Sequence, residues 1–283
     1  MRGLKYIDCH VHITPKRMLQ EESFRLYLQG KKDADAIRRA TEDPAYFVSI
    51  LDEADVEKAF LISIVSPDIE GMPFEYNDFL AKYAAEFPDR LVPIGSIHPL
   101  YTKDAKKDFE HIVDGLGMKG IKVHPPHQSV YPNDHRNGNK ALTTIYSMAQ
   151  DRKIPVIIHT GTSIFPKARN VYGDPIYVDD VAVDYPDLKV VMAHGGRPLW
   201  MQTAFFLVRK HPNVYLDISG IPPRGLLGYF PRLEEISEKT MFGSDWSGPM
   251  VPGIKENIAS FLELPLSSRA KESILRRTAL KML

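Results

Sequence analysis

The chain has 283 residues, 43% of them hydrophobic, and its 36 basic side chains balance 36 acidic ones. That length suits one large domain or two small ones, and the apolar share is enough for a sizeable core. Zero net charge argues against a nucleic-acid or membrane surface as the main partner. A single cysteine, Cys9, excludes an internal disulfide and fits a reducing, cytoplasmic setting. The N-terminal stretch MRGLKYIDCHVH lacks the apolar centre of a signal peptide, and no run nears the roughly 18 apolar residues of a membrane span.

Short apolar runs alternate with longer helical patterns. Strands are expected at Lys5–His10, Lys58–Ile64, Leu91–Ile97, Gly120–His124, Pro155–His159, Lys189–Ala193, Val214–Ile218 and Thr240–Gly243. Several are rich in Val and Ile and almost continuously apolar, as strands buried on both faces are. Between them the spacing predicts helices over Asp43–Ala54, Tyr76–Glu86, Lys103–Leu116, Asn139–Arg152, Leu199–Lys210 and Ser267–Leu283, with a shorter one over Tyr177–Tyr185. The helical signal is weakest between the last two strands, near Pro231–Ser237. Eight strand–helix units of this length predict one α/β domain spanning residues 1–283, a (β/α)8 TIM barrel. A doubly wound open sheet is the alternative. Its first strand would usually lead into a Gly-rich turn, and here it leads into His12-Ile13-Thr14-Pro15.

The longest connections follow strands: Pro15 to Glu42, Pro125 to Gly138, Gly161 to Ile176, Gly220 to Arg232 and Trp246 to Asn257. In a barrel all of them gather on the C-terminal face, where barrel enzymes carry their active sites. The first is expected to cover the pocket mouth, with a short helix around Glu22–Gln29.

The chemistry-bearing residues share that position. In Ile7-Asp8-Cys9-His10-Val11-His12-Ile13, period-two alternation puts His10, His12 and Asp8 on one face, with Val11, Ile13 and Cys9 on the other. Lys122 and His124 end the fourth strand, His159 the fifth, His194 the sixth, Asp217 and Ser219 the seventh, and Asp245 the eighth. Any one of these could be structural: an HxH pair can sit on a surface, and Asp217 or Asp245 could cap a turn. Together at one rim they match a site for a divalent metal, which imidazole and carboxylate bind. His10, His12, His159 and Asp245 make a suitable ligand set, leaving His194 as general acid or base, or as a ligand to a second ion. Asp8 is expected to orient a ligand or to close the barrel floor.

The order DxHxH, GIKVHP, IIHTG, AHGG, FGSDW resembles the amidohydrolase superfamily. DCHVHITP followed by HGG and GSDW resembles its amidohydrolase-2 branch, which includes the aminocarboxymuconate-semialdehyde decarboxylase-like enzymes. The resemblance runs from Tyr6 to about Pro249. It implies one Zn2+ held by His10, His12, His159 and Asp245, with His194 handling protons. Thr278 stands where relatives commonly have Asn. GIKVHP also resembles the strand-four segment of dihydroorotases, whose lysine is carboxylated and bridges two metals; two metals bridged by a carboxylated Lys122 is therefore the alternative.

The expected function is metal-dependent hydrolysis of a small, carboxylated substrate, with metal-activated water attacking an amide, ester or lactone carbonyl. The alternative is non-oxidative decarboxylation of an aromatic or muconate-like acid at the same site, and a third is a barrel that has lost catalysis and serves as a binding module. Arg197, Arg224, Lys167 and Arg169 are candidates to clamp a substrate carboxylate. Trp246, Tyr131, Phe165 and Tyr229 are candidates for pocket walls, with Lys122 and His124 beside the ligands. A small-molecule partner and a possible homo-oligomer complete the expectation.

Overall fold

A computed structural model describes residues 5–283. Eight parallel strands follow one another in chain order: β1 (Tyr6–Val11), β2 (Val56–Ile62), β3 (Leu91–Ser96), β4 (Ile121–Val123), β5 (Val156–Gly161), β6 (Val190–Arg197), β7 (Val214–Asp217) and β8 (Thr240–Met241). Backbone bonds bring the last strand back to the first. The Cys9 N–H donates to the Phe242 carbonyl at 2.9 Å, and the Asp245 N–H donates to the His10 carbonyl at 2.9 Å. The architecture is the (β/α)8 barrel, and each expected strand overlaps an observed one.

Alternation along the strands divides the core in two. Val156, Ile158, Val190 and Met192 face the surrounding helices, while Ile157, Val191 and Ala193 face the barrel interior. The interior cluster also holds Ile7, Cys9, Phe60, Ile62, Val92, Ile94 and Met241, and it is joined by Ala279 of the last helix, Thr278–Leu280, and by Met282 in the turn beyond it. Lys122 sits between the outward-facing Ile121 and Val123, which turns its side chain inward.

The helices begin where the sequence supplies caps. Asp43 accepts from the Tyr46 N–H ahead of Pro44–Glu53, and Asn139 accepts from the Leu142 N–H ahead of Lys140–Asp151. The remaining differences lie in the loops. Gly220 to Arg232 contains a helix at Pro223–Tyr229, followed by a 3-10 segment at Leu233–Lys239. Trp246 to Asn257 runs into a helix at Ile254–Leu262. Pro15 to Glu42 contains helices at Glu21–Leu28 and Ala34–Glu42. These helices are only seven to nine residues long, short enough to depend on packing against the rim beneath them. Among the described residues, no helix is long and apolar enough to cross a membrane.

Candidate metal centre

β1 does not keep simple alternation. Asp8 pairs with Ala59 and Val11 with Leu61, so one extra residue is inserted between them. Such a bulge re-aims side chains. The expectation for Cys9 is corrected: its thiol packs with Ile7, two residues earlier, inside the barrel, and the bulge brings His10 to that same side rather than the opposite one. Val11 and Ile13 do face outward, as expected.

His10 is fully buried. Its Nδ1 lies 2.5 Å from Asp217 Oδ2, and its Nε2 has no hydrogen-bond partner. The Asp217 carboxylate accepts from the Ser219 N–H at 2.8 Å through its other oxygen. Burial pushes the Asp217 pKa up, but His10 and these hydrogen bonds outweigh it and keep the group ionised. An anionic Asp217 makes Nδ1 of His10 the protonated nitrogen and leaves the Nε2 lone pair free, the arrangement that orients metal-binding histidines. Asp217 is therefore more than a loop cap.

His12 and His194 repeat this logic with backbone carbonyls. His12 Nδ1 is 3.2 Å from the Ile62 carbonyl, and His194 Nδ1 is 2.9 Å from the Ser219 carbonyl. Both rings thus keep Nε2 as the acceptor. His159 Nε2 is buried without a partner. The His159 and His194 rings stand 4.6 Å apart, and the His10 and His194 rings 5.0 Å apart.

Asp245 Oδ1 lies 3.3 Å from His12 Nε2 and 3.9 Å from His10 Nε2. Burial alone would raise the Asp245 pKa. The surrounding His194, His12 and His10 reverse this and hold it well below the usual carboxylate range. His194 and Asp245 are reached by unusual backbone: their φ angles are 65° and 66°. Ala193 faces the interior, so alternation alone would send His194 toward the helices. The left-handed conformation turns it to the rim at a local backbone cost that such sites commonly carry.

One donor atom each of His10, His194 and Asp245 lies within 4.8 Å of the other two. Ligands bound at about 2.1 Å in a tetrahedron are about 3.4 Å apart. In this triad the unpartnered His10 Nε2 faces an ionised carboxylate, and His12 Nε2 and the unpartnered His159 Nε2 belong to rings that adjoin the triad; such donors fit a divalent metal. They are costly to bury without one.

The other expected site residues divide. Asp8 is buried, with Oδ1 accepting from the His10 and Ser244 N–H groups at 3.2 and 2.9 Å. It ties β1 to the segment after β8, and burial raises its pKa to about 7. Lys122 Nζ is buried without a hydrogen-bond partner, and burial lowers its pKa to about 8. His124 stacks on His159 with ring centroids 3.9 Å apart. A cavity of about 380 Å3 opens onto these groups and is lined further by Tyr27, Phe165, Arg197, Ile221 and Tyr229. The Arg197 guanidinium is bonded to the Gly220 carbonyl. Lys167, Arg169 and Arg224 are exposed, and Tyr131 packs against Tyr172 and Tyr177. Trp246 turns into the core: it stacks on Phe47 at 5.6 Å and donates Nε1–H to Asp33 at 2.8 Å. Its contribution is to packing and loop anchoring, not to the pocket wall.

The segment after β1 does reach the pocket. Tyr27 lines the cavity, and Lys31 Nζ donates to the Val251 carbonyl of another lining loop at 2.6 Å. Among the cavity residues that sequence reasoning missed are Glu70, His127 and Ser163. His127 had a faint signal, three residues beyond His124 on the helical turn Pro125–Gln128.

The amidohydrolase-2 family model, described as "Amidohydrolase", matches residues 7–283. The chain belongs to that family. No curated protein matches this amidohydrolase. Among solved structures it is similar to an uncharacterized TIM-barrel protein, Bb4693, from Bordetella bronchiseptica, at 24% identity and TM-score 0.77, covering 99% of this chain and 98% of that one. It is also similar to 5-carboxyvanillate decarboxylase from Novosphingobium aromaticivorans, complexed with manganese and 4-hydroxy-3-methoxy-5-nitrobenzoic acid. That match has 16% identity and TM-score 0.72, covering 99% and 96% of the two chains. A third is dihydroxybenzoic acid decarboxylase from Polaromonas sp. JS666, with bound manganese and 2-nitroresorcinol, at 18% identity and TM-score 0.71, covering 98% and 96%. At these identities the likeness establishes a shared fold for this amidohydrolase.

Proposed function

We propose that this amidohydrolase is a metal-dependent, non-oxidative decarboxylase of a small aromatic acid, with hydrolysis as the displaced expectation. The observation that carries the reading is the shape of the site. Polar metal-type donors form the floor of a cavity of about 380 Å3, and Tyr27, Phe165, Ile221 and Tyr229 supply apolar wall. A small flat acid suits that volume and division of surface. The decarboxylases of hydroxylated aromatic acids that share the fold over nearly the whole chain support the same reading.

In this proposal His10, His12, His159 and Asp245 hold one divalent ion. A bound ion would supply Lewis acidity to substrate oxygens. The mixed nitrogen and oxygen donors accommodate Zn2+ or Mn2+. Asp217 fixes the His10 ring. Lys122, inward-facing and unpartnered, offers positive charge to an anionic substrate. The apolar walls exclude water around the ring. Loss of CO2 breaks the carbon–carbon bond and returns its electron pair to the ring, while one proton is added at that carbon. In this reading His194, whose Nδ1 is bonded to the Ser219 carbonyl and whose Nε2 is therefore free to accept, carries that proton.

CO2 release is measured across a panel of hydroxylated aromatic acids with Zn2+- and Mn2+-loaded protein, in parallel with opening of lactones and amides. CO2 with the matching arene supports the proposal. Lactone or amide opening without CO2 release returns the site to hydrolysis.

A further inference from the structure

A second constellation lines the same cavity. Ser163 Oγ lies 2.7 Å from His127 Nε2, and His127 Nδ1 lies 2.7 Å from Glu70 Oε1. Glu70 Oε2 accepts from the Tyr27 hydroxyl at 2.7 Å, and Ser163 Oγ accepts from the Phe165 N–H at 3.2 Å. Glu70, His127 and Tyr27 are all buried, and Ser163 is partly exposed at the cavity wall.

The hydrogen bonds have one self-consistent direction. Burial pushes the Glu70 pKa up, but His127 and the bonds from His127 and Tyr27 bring it below the ordinary value. Glu70 is then an acceptor only, so His127 Nδ1 carries a proton and donates it. In the neutral ring Nε2 must accept, which makes Ser163 the donor. Ser163 Oγ spends one lone pair on the Phe165 N–H and keeps the second. The cavity wall therefore presents an acceptor backed by a base, which is in turn oriented by a carboxylate. That is the general layout of an activated hydroxyl.

We propose that Ser163, His127 and Glu70 form a proton relay that binds a ring hydroxyl of the substrate and takes up its proton. This rests on the aromatic-acid reading above and narrows the substrate to a hydroxylated aromatic acid. Ser163 touches the substrate; His127 and Glu70 act through it. The substrate O–H bond breaks as its proton passes to Ser163 Oγ. The serine's own proton passes to His127 Nε2, leaving an imidazolium beside the Glu70 carboxylate. The product is a phenolate, whose charge spreads into the ring and favours protonation of the carbon that loses CO2. The proton returns to the phenolate oxygen by the reverse path.

The placement fits one ring spanning two sites. His127 stacks on His124 at 3.7 Å, and His124 stacks on His159 at 3.9 Å. The relay thus stands two imidazoles away from a metal-type donor, along one wall. Phe165 meets the His127 ring edge-on at 5.0 Å and shields the relay on one side. A purely structural strut would tie the same loops together and would be indifferent to a hydroxyl in the cavity.

The test uses protein as purified, with its metal content measured, and 4-nitrophenol as the probe at a pH where the free probe is mostly neutral. The relay predicts that bound probe shows the nitrophenolate absorption band. Ser163→Ala and Glu70→Gln should lower that band at least about tenfold, with metal content and melting temperature unchanged; Ser163→Ala keeps the test valid if Glu70→Gln fails to fold. A band of full strength in Ser163→Ala assigns the ionisation to the metal and overturns the proposal, as does a wild-type protein that shows no band. The readout needs no turnover. A band without CO2 release leaves the relay standing and removes the decarboxylase reading; CO2 release without a band does the reverse.

Discussion

His10 on β1 and Asp217 on β7 are joined past the intervening β8 by a 2.5 Å contact between Nδ1 and Oδ2, with both side chains buried. The contact decides which nitrogen of His10 faces the site. Asp217→Asn removes the charge that fixes this tautomer while keeping the side chain's size. Metal affinity should fall by about 10–100-fold. Titration of the stripped protein with metal, with circular dichroism as a control for folding, measures this.

His159→Ala and His194→Ala should separate ligand from proton carrier. His159→Ala should lose the metal and the activity together. His194→Ala should keep about one metal per chain and lose about 10²–10⁴-fold in rate. Elemental analysis of both variants is the check. If His194→Ala halves a metal content of two, the binuclear arrangement with carboxylated Lys122 is correct.

Trp246 is 2% exposed, and its stack on Phe47 and bond to Asp33 hold the segment after β8 against the segment after β1. Trp246→Ala should destabilise the protein by about 3–5 kcal/mol. Trp246→Phe retains the stack and loses the hydrogen bond, so about 1 kcal/mol is expected. Urea unfolding gives both values. A fall in activity without a fall in stability would instead place Trp246 at the substrate.

His98 ends the third strand region and is 4% exposed, with Nδ1 accepting from the Leu100 N–H at 3.3 Å. Burial pushes its pKa down to about 4 from 6.5, against the opposing pull of Asp68. Between these values the unfolded chain binds the proton and the folded chain does not. Stability should therefore fall as pH drops from about 6.5 to about 4, by on the order of 3 kcal/mol from this group. His98→Gln should flatten that acid limb in thermal melts; an unchanged limb would show that His98 is not its source.

The barrel was legible because its signals are local. The runs PVIIH (Pro155–His159) and KVVMAH (Lys189–His194) are apolar on both faces and end in a polar residue, so strand and rim position are written together. HxH, His159 and Asp245 could be grouped from strand ends alone, because a parallel barrel delivers every strand end to one face. The family resemblance rested on the same residues.

Three things depended on the tertiary structure. The bulge in β1 let His10 share the interior side with Cys9 while Val11 faces outward, and positive φ turned His194 and Asp245 to the rim; neither departure from period two has a signature in the local pattern. The fate of Trp246 was set by Phe47 and Asp33, about 200 residues away in the chain, so its side chain went to the core although its neighbour Asp245 lies at the site. The Glu70–His127–Ser163 relay draws on three separate loops. Its residues gain meaning only when those loops meet, because a hydrogen bond of 2.7 Å is specified by packing across the fold and not by spacing along the chain.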